Sequence, residues 1–119
     1  GAWIEEEMRA LTDPTAYAIA PRDSWQRLKA GNLKPKQLAA LREAAAWREE
    51  EARRRNIPRG RILRDETLLE IAASLPATDK ELRHIRGLGA GFSPKWAEAL
   101  LKAVEAALAL PPSEWPPAN

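Results

Sequence analysis

Cysteine is absent from the 119-residue chain, which excludes disulfides, thiolate nucleophiles and cysteine-ligated zinc. The single histidine, His84, has no second histidine for a metal site and no serine or cysteine partner in view for a catalytic triad. No stretch approaches the ~20 apolar residues of a membrane-spanning helix. No secretory signal pattern is visible, so the expected location is cytoplasmic. Strand formers are scarce: one Tyr, one Phe, Val104 as the only valine, and six isoleucines, none of them in an alternating run. That leaves an all-α protein. A chain this long forms one domain and buries roughly two-thirds of its unfolded surface, enough for a helical core without covalent staples.

What the chain does have is arginine, and it is concentrated. Residues 48–64 hold seven arginines (48, 53, 54, 55, 59, 61 and 64) against Glu49, Glu50 and Glu51, a local charge of +4. The whole chain is +2, so everything else sums to −2. A local, Arg-dominated patch is what a phosphate backbone attracts. The plainer reading is a solvated helix end whose arginines meet the negative end of the helix dipole.

Helical periodicity organises the rest. A first helix is predicted from Trp3 to Leu11, with Ile4, Met8 and Leu11 on one side and Thr12-Asp13-Pro14 as its stop. A short second helix follows Pro21, carries Trp25 and Leu28, and ends at Gly31. With little core of their own, residues 1–32 read as a helical lead-in that packs on something else, such as a preceding domain. The main helix starts near Pro35, a residue suited to a first turn, and the helical region ends at Ile57-Pro58. Leu38, Leu41, Ala45 and Ala52 share a face with Arg48, whose charge there requires an acidic partner; Asp65 and Glu66 are the nearest candidates. Trp47, at the edge of the stripe, is expected in the core rather than as a stacking platform. A further helix spans about 65–75, with Asp65 as N-cap and Leu68, Ile71, Ala72 and Leu75 buried. Thr78 to Glu81 has capping-box spacing and opens a helix burying Leu82 and Ile85 and ending at Gly87. Ser93-Pro94 opens the last one, lined by Trp96, Leu100, Ala103, Val104, Ala107 and Leu108. Residues 110–119 read as a proline-rich linker, with no role assigned to Trp115. The chain begins at Gly1 rather than Met, and we read it as a piece of a longer protein.

Few motifs carry chemistry. Asp79-x-Glu81 is the only Asp-x-Glu, a spacing that opens the metal sites of many exonucleases. Here it fits the capping box, and the further carboxylates of a two-metal site are missing. The runs Glu5-Glu6-Glu7 and Glu49-Glu50-Glu51 read as solvated helix faces. The loop Gly87-Leu88-Gly89-Ala90-Gly91 frees backbone N–H groups beside a helix start, and Lys80, Arg83, Arg86 and Lys95 flank it. It is either a phosphate-binding loop or a plain connector.

Trp47-Arg48, Ala52, Pro58, Asp65, Leu68, Ile71-Ala72, Pro76, Leu82 and Ile85-x-Gly87, in that order, resemble the HRDC domain (helicase and RNase D, C-terminal) over residues 33–109. The resemblance implies a compact bundle of about five helices, here with an N-terminal helical extension. It also implies an auxiliary nucleic-acid-binding or interdomain role without catalysis. Leu11 to Tyr17, Trp25 to Lys29 and Leu110 to Pro117 resemble the flanks of that domain in the ribonuclease D family. The parent would then be a 3′→5′ exoribonuclease trimming structured RNA such as tRNA precursors. No cofactor is expected in this fragment; the divalent metal would belong to the absent catalytic domain of the same chain. Arg53, Arg54, Arg55, Arg59, Arg61, Arg64, Lys80, Arg83, Arg86 and Lys95 are the candidate phosphate contacts. The alternatives are a structural interdomain module using the apolar lead-in, and the HRDC domain of a RecQ-type DNA helicase.

Overall fold

In the computed structural model the described residues are 20–117; the helix expected over Trp3–Leu11 and the segment through Tyr17 lie outside them. No strand occurs among the described residues. Five α-helices form the body: α1 (Pro35–Arg55), α2 (Arg59–Ile62), α3 (Asp65–Ser74), α4 (Asp79–Arg83) and α5 (Pro94–Ala109). Two 3-10 helices, Pro21–Arg27 and Pro112–Glu114, flank them.

The long helix α1 is the axis of the bundle, with the first 3-10 helix, α2, α3 and α5 all packed on it. Pro35 opens it as expected. Gln37 accepts from the Lys34 N–H at 2.7 Å and donates to the Ala73 carbonyl at 3.0 Å, tying α1 to α3. Asn56 closes it in the left-handed region, φ 57°, a conformation its short polar side chain tolerates. A single buried stripe underestimated this helix. Ala39, Ala40, Ala44 and Ala46 are buried as well as Leu38, Leu41, Ala45 and Ala52, because small side chains let neighbours approach from more than one side.

Helix α3 starts one residue earlier than expected, at the residue predicted to cap it. Arg64 holds the cap position without a side-chain bond, and Asp65 is the first helical residue. The reason is Arg48, whose Nη1 lies 2.9 Å from the Asp65 carboxylate, the partner its burial required. At its other end α3 stops on Leu75 with φ 50°, a conformation costing a branched residue about 1–2 kcal/mol. Packing of Leu75 on the core holds it there, and Pro76 blocks continuation.

Thr78 caps α4 by accepting from the Glu81 N–H at 3.2 Å, while the Glu81 carboxylate reaches back to the Ala77 N–H at 2.8 Å. The α-helix ends at Arg83, earlier than expected; Ile85 and Leu88 are buried in the turn that follows. Ser93 caps α5 by accepting from the Trp96 N–H, and Ala97, Leu100, Val104 and Ala107 form its inner face. Leu108, expected on that face, is instead 41% exposed, one step round the helix from Ala107.

The flanks pack on this body. Trp25, Leu28 and Leu33 lie against the core, and Arg22 pairs with Glu43 of α1 at 2.6 Å. After Pro111 the chain folds back: Trp115 packs on the core and donates to the Ala107 carbonyl at 3.0 Å, and Arg42 reaches the Glu114 carbonyl. The described part of the tail therefore covers the bundle, which gives Trp115 its role.

Candidate nucleic-acid interface

The arginine cluster forms where α1 ends and α2 begins, on a pair of buried carboxylates. Glu49 accepts from Arg59 at 2.8 and 3.2 Å and from Arg53 at 3.2 Å. Glu51 accepts from Arg54 at 2.6 Å, from Arg55 at 2.5 Å and from the Trp96 indole N–H at 2.9 Å. The expectation that the Glu49–Glu51 run is a solvated face holds for Glu50, which is exposed, and fails for the other two. α2 folds over Glu49 and Trp96 of α5 covers Glu51, so both carboxylates lose their water. No signal in local sequence marks them out, because their burial comes from elements far along the chain.

These ion pairs are lopsided. The carboxylate side chains are 8% and 7% exposed, whereas Arg53, Arg54, Arg55 and Arg59 are 43%, 67%, 48% and 37% exposed. Negative charge is inside and positive charge outside. The hydrogen bond and charge of Arg59 hold the Glu49 carboxyl below its usual range against its burial. Arg55, with Arg54 and the Trp96 N–H, pulls Glu51 down to about 2. The Arg59 guanidinium is raised by its bond to Glu49. A carboxylate ionised more readily folded than unfolded stabilises the fold above its unfolded pKa and loses that contribution as pH falls through its folded pKa. Stability should therefore drop between about pH 5 and pH 2, and Glu51 should account for up to about 3 kcal/mol of the drop. Arginines that reach water screen the pair and reduce that figure. Denaturation midpoints across this range should fall less in Glu51→Gln than in wild type; equal slopes would contradict the pairing.

The remaining candidates divide. Arg61 and Arg64 are exposed, and no acidic side chain pairs with either among the described residues. Arg64 and Arg86 line one cleft, together with Glu66, Thr67, Glu70 and Gly87. Lys95 is exposed on the first turn of α5, next to Trp96, and so lies near the arginine-bearing end of α1. Lys80 is exposed on α4. Arg83 is engaged inward: it pairs with Asp79 at 2.8 Å and donates to the carbonyls of Gly89, Ala90 and Phe92. The glycine loop and the residue after it thus turn three carbonyl oxygens onto Arg83, the opposite polarity from a phosphate cradle, as in a clamped connector.

Trp47, expected in the core, is only half-buried at its edge, where it meets Trp96 edge-on at 6.3 Å. Phe92 packs on Trp96 at 5.9 Å, and the Arg55 guanidinium sits 5.5 Å from the Trp96 ring centroid. No group of histidine, cysteine, aspartate and glutamate able to hold a metal occurs among the described residues. No described helix is long and apolar enough to cross a membrane.

The sequence model of the HRDC domain matches residues 37–104. Over 117 residues the chain is 45% identical to ribonuclease D of Nitrobacter hamburgensis, covering 98% of this chain and 31% of the relative. It is 45% identical over 120 residues to ribonuclease D of Zymomonas mobilis, covering 100% and 31%. The chain thus spans about a third of the length of these curated relatives. Among solved structures it is similar to Escherichia coli RNase D, described as an exoribonuclease involved in structured RNA processing. That likeness has a TM-score of 0.78 and 33% identity over 84% of this chain and 27% of the other.

Proposed function

Because the chain belongs to the HRDC domain family, we propose that it is a non-catalytic, RNA-binding accessory domain of a ribonuclease D-type 3′→5′ exoribonuclease. On this reading residues 33–109 are the domain proper. The catalytic domain of the same protein, with its divalent metal, cuts RNA in the cytoplasm, and tRNA precursors and other structured RNAs are the substrates. The observation that carries the reading is the lopsided pairing of Arg53, Arg54, Arg55 and Arg59 with Glu49 and Glu51. It keeps the guanidiniums at the surface and the neutralising carboxylates beneath. With Arg61, Arg64 and Lys95 nearby, this is a surface for phosphates rather than bases, so binding should depend little on sequence. The ribonuclease D relatives favour the exoribonuclease parent over a RecQ-type helicase.

Changing Arg54 and Arg59 together to glutamate should weaken binding of a short single-stranded RNA about tenfold or more at low salt, measured by fluorescence anisotropy. Unchanged affinity in a folded double variant would remove this surface from RNA recognition. A second reading, an interdomain module, is favoured by a groove in which Leu75, Pro76, Leu101, Val104 and exposed Leu108 lie among Glu98, Lys102 and Glu105. Salt-insensitive self-association without RNA affinity would support it instead.

A further inference from the structure

We infer that Glu49 and Glu51 are positioning residues of the RNA-binding surface: although negative, they raise its affinity for phosphate by fixing the guanidiniums that meet it. The inference rests on the reading of the arginine cluster as the RNA contact. Simple electrostatics predicts the reverse, since a carboxylate among arginines lowers the local positive potential.

Geometry argues for positioning. Each carboxylate serves two arginines from below. Glu49 joins Arg53 on α1 to Arg59 on α2. Glu51 joins Arg54 and Arg55 on α1 to the Trp96 indole on α5. Arg55 is held a second time by the Trp96 ring. A free arginine side chain has many rotamers, and freezing them on contact with a phosphate costs affinity, about two- to tenfold per side chain. Here the folded protein has already restricted four of them. A guanidinium has five N–H donors in a planar fork. The carboxylates occupy one donor on Arg54, one on Arg55 and two on Arg59, leaving donors on the solvent side of these three to bind phosphate oxygens. The burial of both carboxylates keeps their charge on the protein side of the guanidinium layer.

Glu50 provides the control. It lies between the two positioning residues, is exposed, and makes no ion pair among the described residues. Glu50→Gln and Glu51→Gln change net charge identically and one residue apart. With the full 119-residue chain and a short mixed-sequence RNA at low salt, Glu50→Gln should tighten binding about twofold by charge alone. Glu51→Gln should weaken it about fivefold. In an Arg54→Ala/Arg55→Ala background, Glu51→Gln should lose its weakening effect, because the side chains it positions are gone. Glu49→Gln, read against Arg53→Ala/Arg59→Ala, repeats the test independently should Glu51→Gln fail to fold, which circular dichroism would show.

Tightening by both Glu50→Gln and Glu51→Gln would overturn the inference and leave the arginine surface standing. So would equal weakening by Glu51→Gln with and without Arg54 and Arg55, because that marks a purely structural role. Unaltered binding in Arg54→Glu/Arg59→Glu would overturn both the inference and the reading beneath it.

Discussion

Asp65→Ala is expected to destabilise the fold by about 3 kcal/mol, more than the larger change Arg48→Met on the other side of the same ion pair. Arg48 is 3% exposed and Asp65 is 61% exposed. The Arg48 guanidinium also donates to the Leu63 carbonyl at 2.8 Å, and its Nε has no partner. Burial pushes the guanidinium down from its ordinary value, and the hydrogen bond and charge of Asp65 oppose that push. Removing Asp65 leaves a cation in an apolar interior between Ala45 and Ala52, without the charge that made its burial tolerable. Methionine at position 48 removes that cation and fills much of the same volume, and an exposed Asp65 then returns to water at little cost. Only the Leu63 carbonyl loses a partner, a penalty of about 1–3 kcal/mol. Urea denaturation of the two variants gives the ordering directly. Arg48→Met as the more damaging change would mean that the guanidinium is hydrated or stabilised by something besides Asp65.

Gly87→Ala carries the other large effect, a loss of about 2–4 kcal/mol. Two independent obstacles meet at this position. Gly87 has φ +95°, where an L side chain is strained, and a Cβ there would lie 2.6 Å from the Thr67 Oγ1. Thr67 is buried on α3 and bonds weakly to the Arg86 carbonyl at 3.5 Å, so it has little room to retreat. Thr67→Ala, destabilising alone by removal of buried atoms, should be neutral or restorative in the Gly87→Ala background. That coupling separates the steric part from the backbone part. Additive losses in melting experiments would show that the two residues do not touch. Gly89 and Gly91 have neither obstacle, and alanine there should be tolerated within about 0.5 kcal/mol.

The parts of this fold that local patterns determine were readable from sequence. Pro35, Thr78 and Ser93 mark helix starts because a missing N–H or a side-chain oxygen acts within one turn. Arg48 announced a buried pair because a charge on an apolar face must be compensated, and Asp65 supplies the charge. The end expected at Gly87 was missed, because the helix stops at Arg83 and the chain from His84 to Leu88 continues as a turn that buries Ile85 and Leu88. What escaped depends on distant contacts. Nothing near Glu49 and Glu51 distinguishes them from Glu50; only α2 and Trp96, folding over them, make two of the three carboxylates buried anchors. Leu75 in a left-handed conformation follows from tertiary packing that overrides its preference. Arg83 looked like one more surface cation beside a glycine loop. Its three carbonyl partners exist only because that loop curls round it. Trp115 found its place once the tail folded back to the Ala107 carbonyl. Composition located the arginines, therefore, but could not say which carboxylates hold them or which way each pair faces.

The most direct test is a salt titration of RNA affinity for the wild-type chain and for Arg54→Glu/Arg59→Glu. If guanidiniums held outward on buried carboxylates meet phosphates, log affinity falls linearly with log salt, by about 0.7 for each phosphate contacted on a single strand. The double variant should then show a slope flatter by about one unit or more, beyond its weaker binding. Affinity indifferent to salt, or the same slope in wild type and a folded double variant, would contradict the account.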